Sequence, residues 1–122
     1  MKKKILIVDD DPNIVKLIKN RFVANGFDAL TAFDGEEALE KARSEKPDLI
    51  LLDIMMPRLD GTETARLLHE NETTKNIPVI FVTALKQPSE DEGGEGASGN
   101  IVFSKPIGFD DLLRKVRSLT HA

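Results

Sequence analysis

A chain of 122 residues, 40% of them hydrophobic, is long enough to bury one core and too short for two domains. Because it contains no cysteine, disulfides, zinc–thiolate centres and thiol redox chemistry are excluded. A net charge of -4 argues against non-specific binding of nucleic acid. No apolar run approaches the roughly 20 residues that span a bilayer. The N-terminal sequence does not resemble a signal peptide, so we expect one cytoplasmic domain over residues 1–122, without direct DNA or membrane contacts.

Short apolar runs alternate with segments of helical period, which predicts a doubly wound α/β domain with a parallel sheet. Strands are predicted, in chain order, over residues 4–8, 27–33, 49–52, 79–82 and 101–104. Helices are predicted to follow four of these strands, with first turns at Asp11, Asp34, Thr62 and Asp110. The run at 49–52 is apolar at every position, as expected for a central strand that helices cover on both faces.

The segment after the fourth strand differs from the other connections. Residues 86–100 include no large apolar side chain, and their glycines would each cost a helix about 1 kcal/mol relative to alanine. We therefore expect the fourth helix to be weak, short or disordered. Our hypothesis is that this acidic segment orders, if at all, when a partner docks.

Polar residues follow the predicted strands at their carboxyl ends: Asp9, Asp10, Asp53, Thr83 and Lys105. In an open parallel sheet these ends form the ligand crevice, so we expect the five side chains to meet. A carboxylate at Asp53, facing two others, would be disfavoured unless a cation neutralised them, and Mg²⁺ prefers oxygen ligands. A lysine and a hydroxyl beside such a metal suit phosphoryl transfer, which depends on positioned cations and donors. No histidine is needed, and we expect His69 and His121 to face solvent.

Four motifs in this order, VDDD, LLDIMMPRLDG, VTA and SKP, resemble those of the receiver domain of two-component response regulators, the CheY-like superfamily. The resemblance covers essentially the whole chain. It implies a flavodoxin-like (βα)5 fold with five parallel strands in the order 2-1-3-4-5. It further implies that Pro57 and Gly61 shape the turn after the third strand.

The resemblance also assigns roles at the site. It implies that Asp53 is the phosphoacceptor and that Asp9, Asp10, Asp53 and the backbone carbonyl of Met55 hold Mg²⁺. Thr83 would be the switch hydroxyl, and Lys105 would bind the phosphoryl group. The donor would be a sensor histidine kinase or a histidine phosphotransfer protein, and a downstream protein would read the switched conformation. Such a domain is not an enzyme beyond its own phosphorylation and slow self-dephosphorylation.

Two further positions depart from the family pattern. Val102 stands where the family usually carries an aromatic switch residue, with Phe103 next to it. If Thr83 moves, either a smaller side chain would fill the cavity that it leaves, or Phe103 would shift after a local change of register. Met55 and Leu85 are apolar where polar residues can align the hydrolytic water. We therefore predict slow loss of the phosphoryl group, accelerated by combining Met55→Asn with Leu85→Glu.

Three alternatives remain open from the sequence. The chain could be the receiver part of a longer regulator with an output domain. It could be a receiver-like binding module that no longer uses phosphorylation. The third is a magnesium-dependent phosphatase, but such an enzyme would need a second catalytic carboxylate at the position where this chain has Met55.

Overall fold

A computed structural model describes residues 2–54, 61–83, 94–95, 101–104 and 108–121, with only the backbone described for residues 83, 94–95 and 101–104. The strands are β1 (Lys4–Val8), β2 (Asp28–Ala32), β3 (Leu49–Asp53), β4 (Val79–Thr83), β5 (Gly94–Glu95) and β6 (Ile101–Ser104). The helices are α1 (Pro12–Ala24), α2 (Gly35–Glu45), α3 (Gly61–Glu70) and α4 (Phe109–Thr120). None of the described helices is both long and apolar enough to cross a membrane.

The strands form one sheet in the order β2-β1-β3-β4-β6-β5. Neighbouring strands from β2 to β6 in this order pair in parallel. Strand β6 is the fifth strand predicted from the sequence, so the observed order confirms the predicted doubly wound arrangement. The sequence did not predict β5, a two-residue strand that pairs antiparallel with β6. The predicted weak fourth helix falls in 86–100, where residues 94–95 alone are described.

Successive residues of the strands point to opposite faces, and each face is buried by two helices. One face packs against α2 and α3 through side chains that include Leu6, Ile50, Leu52, Ala38 and Leu68. The other face packs against α1 and α4 through side chains that include Ile7, Leu51, Val15, Phe22 and Val116. All five residues of β3, which lies between β1 and β4, are buried, and the apolar run at 49–52 predicted this for the first four.

The helices begin and end where their sequences indicate. Asp11 caps α1 and Asp34 caps α2, each by accepting a backbone N–H with its side chain. After α1, Gly26 has a φ of 91°, a left-handed conformation that favours glycine. His69 and His121 are exposed, as predicted.

Candidate metal and phosphoryl site

The first acidic residues of the site follow β1 directly. The backbone N–H of Asp9 donates to the carbonyl of Ala32 at 3.2 Å, so the pairing of β1 with β2 continues into this residue. Asp9 is only 3% exposed, whereas the next residue, Asp10, is exposed. The turn from β1 into α1 therefore places one carboxylate inside the molecule and one at its surface.

The start of α1 orients the Asp9 side chain. The backbone N–H of Asp11 donates to Asp9 Oδ1 at 3.0 Å. The Asp11 side chain in turn accepts from the backbone N–H of Asn13 at 2.9 Å, which is the N-cap bond of the helix. The cap of α1 and the position of a site carboxylate thus depend on the same residue.

Asp53 is the last residue of β3 and is held from both sides. On one side Leu52, the residue before it, pairs with Val8 of β1. On the other side Asp53 pairs with Val82 of β4, and the next backbone N–H, that of Ile54, donates to the Val82 carbonyl at 3.2 Å. Asp53 is 3% exposed, so its carboxylate is as buried as that of Asp9.

These strand ends bring together three carboxylates, those of Asp9, Asp10 and Asp53, with one oxygen from each lying within 4.8 Å of the others. In an octahedral Mg²⁺ site, oxygens on opposite sides of the ion are about 4.2 Å apart, because each bond is about 2.1 Å. The spacing therefore requires only small movements to close around such an ion. Carboxylate oxygens are ligands that Mg²⁺ prefers, so the three residues fit this ion.

The remaining predicted site residues are described only in part. Thr83 ends β4 one position after Val82, so its backbone lies beside the strand end that carries Asp53; its side chain is outside the described residues. Lys105, Met55 and Leu85 also lie outside the described residues, as do the side chains of Val102 and Phe103. Their assigned roles stay predictions.

Sequence reasoning assigned Gly61 only to turn geometry, and the structure gives it a closer relation to the site. It is the first residue of α3, it is buried, and it lies against the backbone of Asp53. The pattern of residue types does not predict this contact, because it depends on how closely α3 packs against the sheet.

Known proteins resemble this chain along nearly its whole length. The family model for the response regulator receiver domain matches residues 5–117. The chain is 38% identical to the alkaline phosphatase synthesis transcriptional regulatory protein PhoP of Bacillus subtilis, over 98% of this chain and 49% of that protein. It is 39% identical to the response regulator PleD of Caulobacter vibrioides, over 99% of this chain and 27% of that protein. The chain thus spans half or less of the length of these curated relatives.

Solved structures agree in fold. The receiver domain of a Francisella response regulator has a TM-score of 0.86 and 36% identity, with 98% of each chain covered. The response regulator TrrA of Thermotoga maritima, solved in complex with Mg²⁺–BeF, has a TM-score of 0.81 and 37% identity, with 96% of this chain and 98% of that chain covered. Together with the acidic cluster at the strand ends, these likenesses show that the chain belongs to the family of response regulator receiver domains.

Proposed function

We propose that this receiver domain accepts a phosphoryl group on Asp53, with Mg²⁺ held by Asp9, Asp10, Asp53 and the backbone carbonyl of Met55. The observation that carries the proposal is the group of three carboxylates whose oxygens lie within 4.8 Å, two of them on residues that are 3% exposed. Buried carboxylates so close together are disfavoured without a cation, and one of them stands at the end of the central strand.

The donor we propose is a phosphohistidine on a sensor histidine kinase or a histidine phosphotransfer protein. A carboxylate oxygen of Asp53 attacks phosphorus and forms an O–P bond while the P–N bond to the imidazole breaks. The imidazole nitrogen keeps the electron pair of that bond. Bound Mg²⁺ would supply positive charge that neutralises the transferring oxygens. Asp9, oriented by the Asp11 backbone, would hold its side of the site in place during this transfer.

Lys105 and Thr83 complete the proposed site. Lys105 would bind the phosphoryl oxygens, and the Thr83 hydroxyl would move toward them once Asp53 is phosphorylated. The backbone position of Thr83 at the end of β4, beside β3, supports this role. Movement of that strand end would shift the population between two conformations, and a downstream protein would bind one of them.

Intact-mass spectrometry after incubation with acetyl phosphate and Mg²⁺ tests the proposal directly. We expect one phosphoryl adduct on the wild-type chain and none on Asp53→Asn. Asp28→Asn is a matched control, because Asp28 is exposed and begins β2 at the opposite end of the sheet. This control should form the adduct as the wild type does.

Removal of the metal provides the second arm. With Mg²⁺ chelated, the wild-type adduct should disappear. An adduct that persists on Asp53→Asn, or that forms equally well without Mg²⁺, would contradict the proposal. Absence of any adduct, both from acetyl phosphate and from phosphorylated histidine phosphotransfer proteins, would favour a binding module that does not use phosphorylation.

A further inference from the structure

Gly61 lies directly against the backbone of Asp53. A Cβ atom built on Gly61 would lie 2.2 Å from the Asp53 carbonyl oxygen, 2.7 Å from the Ile54 Cα and 2.9 Å from the Asp53 carbonyl carbon. Contacts below 3.0 Å are essentially not seen for real Cβ atoms, and all three of these atoms belong to the backbone. No side chain could rotate away to make room.

A hydrogen bond fixes the same junction. The backbone N–H of Gly61 donates to the carbonyl of Ile54 at 3.0 Å, which ties the first residue of α3 to the residue after Asp53. On the other side, the N–H of Ile54 donates to Val82 of β4 at 3.2 Å. The peptide after Asp53 is thus held between β4 and the start of α3.

We infer that Gly61 is a positioning residue for the site, an inference that rests on the proposed function. Its missing side chain lets α3 lie against the Asp53–Ile54 backbone, and this contact sets where the Asp53 carboxylate stands relative to Asp9 and Asp10. Helix α3 itself is anchored to the sheet through Leu68, which is 1% exposed. A methyl group at position 61 must therefore displace either the anchored helix or the backbone of Asp53.

The site is less tolerant of such a displacement than the fold is. Ligand oxygens of Mg²⁺ must approach to about 2.1 Å in near-octahedral geometry, and loss of the groups that orient metal ligands typically weakens metal binding about 10- to 100-fold. A shift of a few tenths of an ångström to one ångström in the Asp53 backbone moves its carboxylate by a similar amount. The expected consequence of Gly61→Ala is a folded domain with a poorly assembled site.

The test is a Mg²⁺ titration followed by amide NMR, since the chain has no tryptophan or tyrosine to report binding by fluorescence. For Gly61→Ala we expect the Mg²⁺ dissociation constant to rise about tenfold or more. In the metal-free protein, the largest amide shift changes outside α3 should fall on Asp53 and Ile54. Phosphorylation by acetyl phosphate at a fixed Mg²⁺ concentration should slow by a similar factor.

Two controls separate positioning from general loss of stability. Ala65→Gly weakens the same helix by removing a buried methyl group, without adding an atom beside Asp53. Gly108→Ala makes the same substitution before α4, where the new Cβ would meet, among the described residues, only the Asp111 side chain, at 3.4 Å. Both should bind Mg²⁺ within about twofold of the wild type when folded, because neither changes the Asp53 backbone.

Several results would overturn the inference. Wild-type Mg²⁺ affinity in Gly61→Ala would do so, as would an equal loss of affinity in Ala65→Gly. If Gly61→Ala stayed unfolded even with Mg²⁺ and a stabilising osmolyte, the contact would be required by the fold as a whole and not by the site. Failure of the wild type itself to bind Mg²⁺ would instead remove the proposed function, and this inference with it.

Discussion

Asp9 and Asp53 are both 3% exposed, and their carboxylate oxygens lie within 4.8 Å of each other and of Asp10. At this distance two unit charges repel by about 3 kcal/mol at an effective dielectric constant of 20. Repulsion among these like charges therefore opposes the stability of the fold, and a bound cation would relieve it. Such an arrangement is typical of functional sites, where charge is retained for chemistry.

Neutralising one of these residues should stabilise the metal-free protein. For Asp53→Asn we expect the free energy of unfolding, measured by urea in the presence of a chelator, to rise by roughly 1 to 3 kcal/mol, because like-charge repulsion is lost. Adding Mg²⁺ at one hundred times its dissociation constant should stabilise the wild type by about 2.7 kcal/mol and the variant far less. Asp28→Asn should change neither value appreciably. A less stable Asp53→Asn without metal would refute the argument.

The sequence was sufficient to predict which carboxylates meet, because each follows a strand and parallel strands present their carboxyl ends at one edge. Asp9 and Asp53 are 44 positions apart, yet the alternation of strands and helices places them together. The contact between Gly61 and Asp53 could not be predicted in this way. It depends on how closely α3 packs on the sheet, which no pattern of residue types records.

Helices α1 and α2 begin in the same way, with an aspartate that accepts a backbone N–H from the first turn. Asp11 accepts from Asn13 at 2.9 Å, and Asp34 accepts from Glu37 at 2.8 Å. The α1 cap makes a further contact outside its own helix start, since the backbone N–H of Asp11 also donates to Asp9. One helix start is therefore coupled to the metal site, while the bonds of the Asp34 cap remain within its own helix start.

Alanine at each cap separates these two contributions. Asp11→Ala and Asp34→Ala should each lower the free energy of unfolding by about 1 kcal/mol, because each removes an N-cap acceptor. Only Asp11→Ala should also weaken Mg²⁺ binding, since an uncapped α1 holds the Asp11 N–H less firmly against Asp9. Urea unfolding and the NMR titration measure the two effects. Equal Mg²⁺ affinity in both variants would show that the cap does not support the site.

Elements with a strong local signal were predicted closely, whereas the short edge strand β5 was not. Strand β1 lies over the predicted residues 4–8, and the predicted 27–33 became Asp28–Ala32. Strand β5 had no such signal, because glycine and glutamate are both uncommon in strands. Its pairing with β6 comes from the neighbouring edge of the sheet, which the sequence of Gly94–Glu95 does not encode.

At the scale of the whole molecule, the last helix is joined to the first through aromatic side chains. Phe109 at the start of α4 packs edge-to-face on Phe22 of α1, with ring centroids 5.1 Å apart. Phe22 makes a similar contact with Phe27 at 5.3 Å, and the Arg21 guanidinium lies 5.2 Å from the centre of the Phe109 ring. The sequence predicted the apolar stripe of α4, but it did not predict that this helix contacts Phe22 of α1.

A double-mutant cycle measures this long-range contact. Phe22→Leu, Phe109→Leu and the double variant should show a coupling in unfolding free energy of about 1 kcal/mol, the usual worth of an aromatic pair beyond its buried area. The matched control pairs Phe109→Leu with Phe81→Leu, because Phe81 packs on the opposite face of the sheet. The effects of that pair should add within about 0.5 kcal/mol. Additive effects in the first cycle would mean that the two rings stabilise the fold only through the apolar area that they bury.

Hydrogen bonds link neighbouring segments of the chain at the amino end of the sheet. The backbone N–H of Lys4 donates to Asp48 at 2.8 Å, its ammonium group donates to the Glu45 carbonyl at 3.0 Å, and the N–H of Asp28 donates to Lys3 at 2.9 Å. Strand β1 then runs five residues, about 16 Å, before it reaches Asp9. A fluorophore or surface tether attached near Lys3 would thus sit a full strand length from the acidic cluster, leaving that edge clear for an approaching protein.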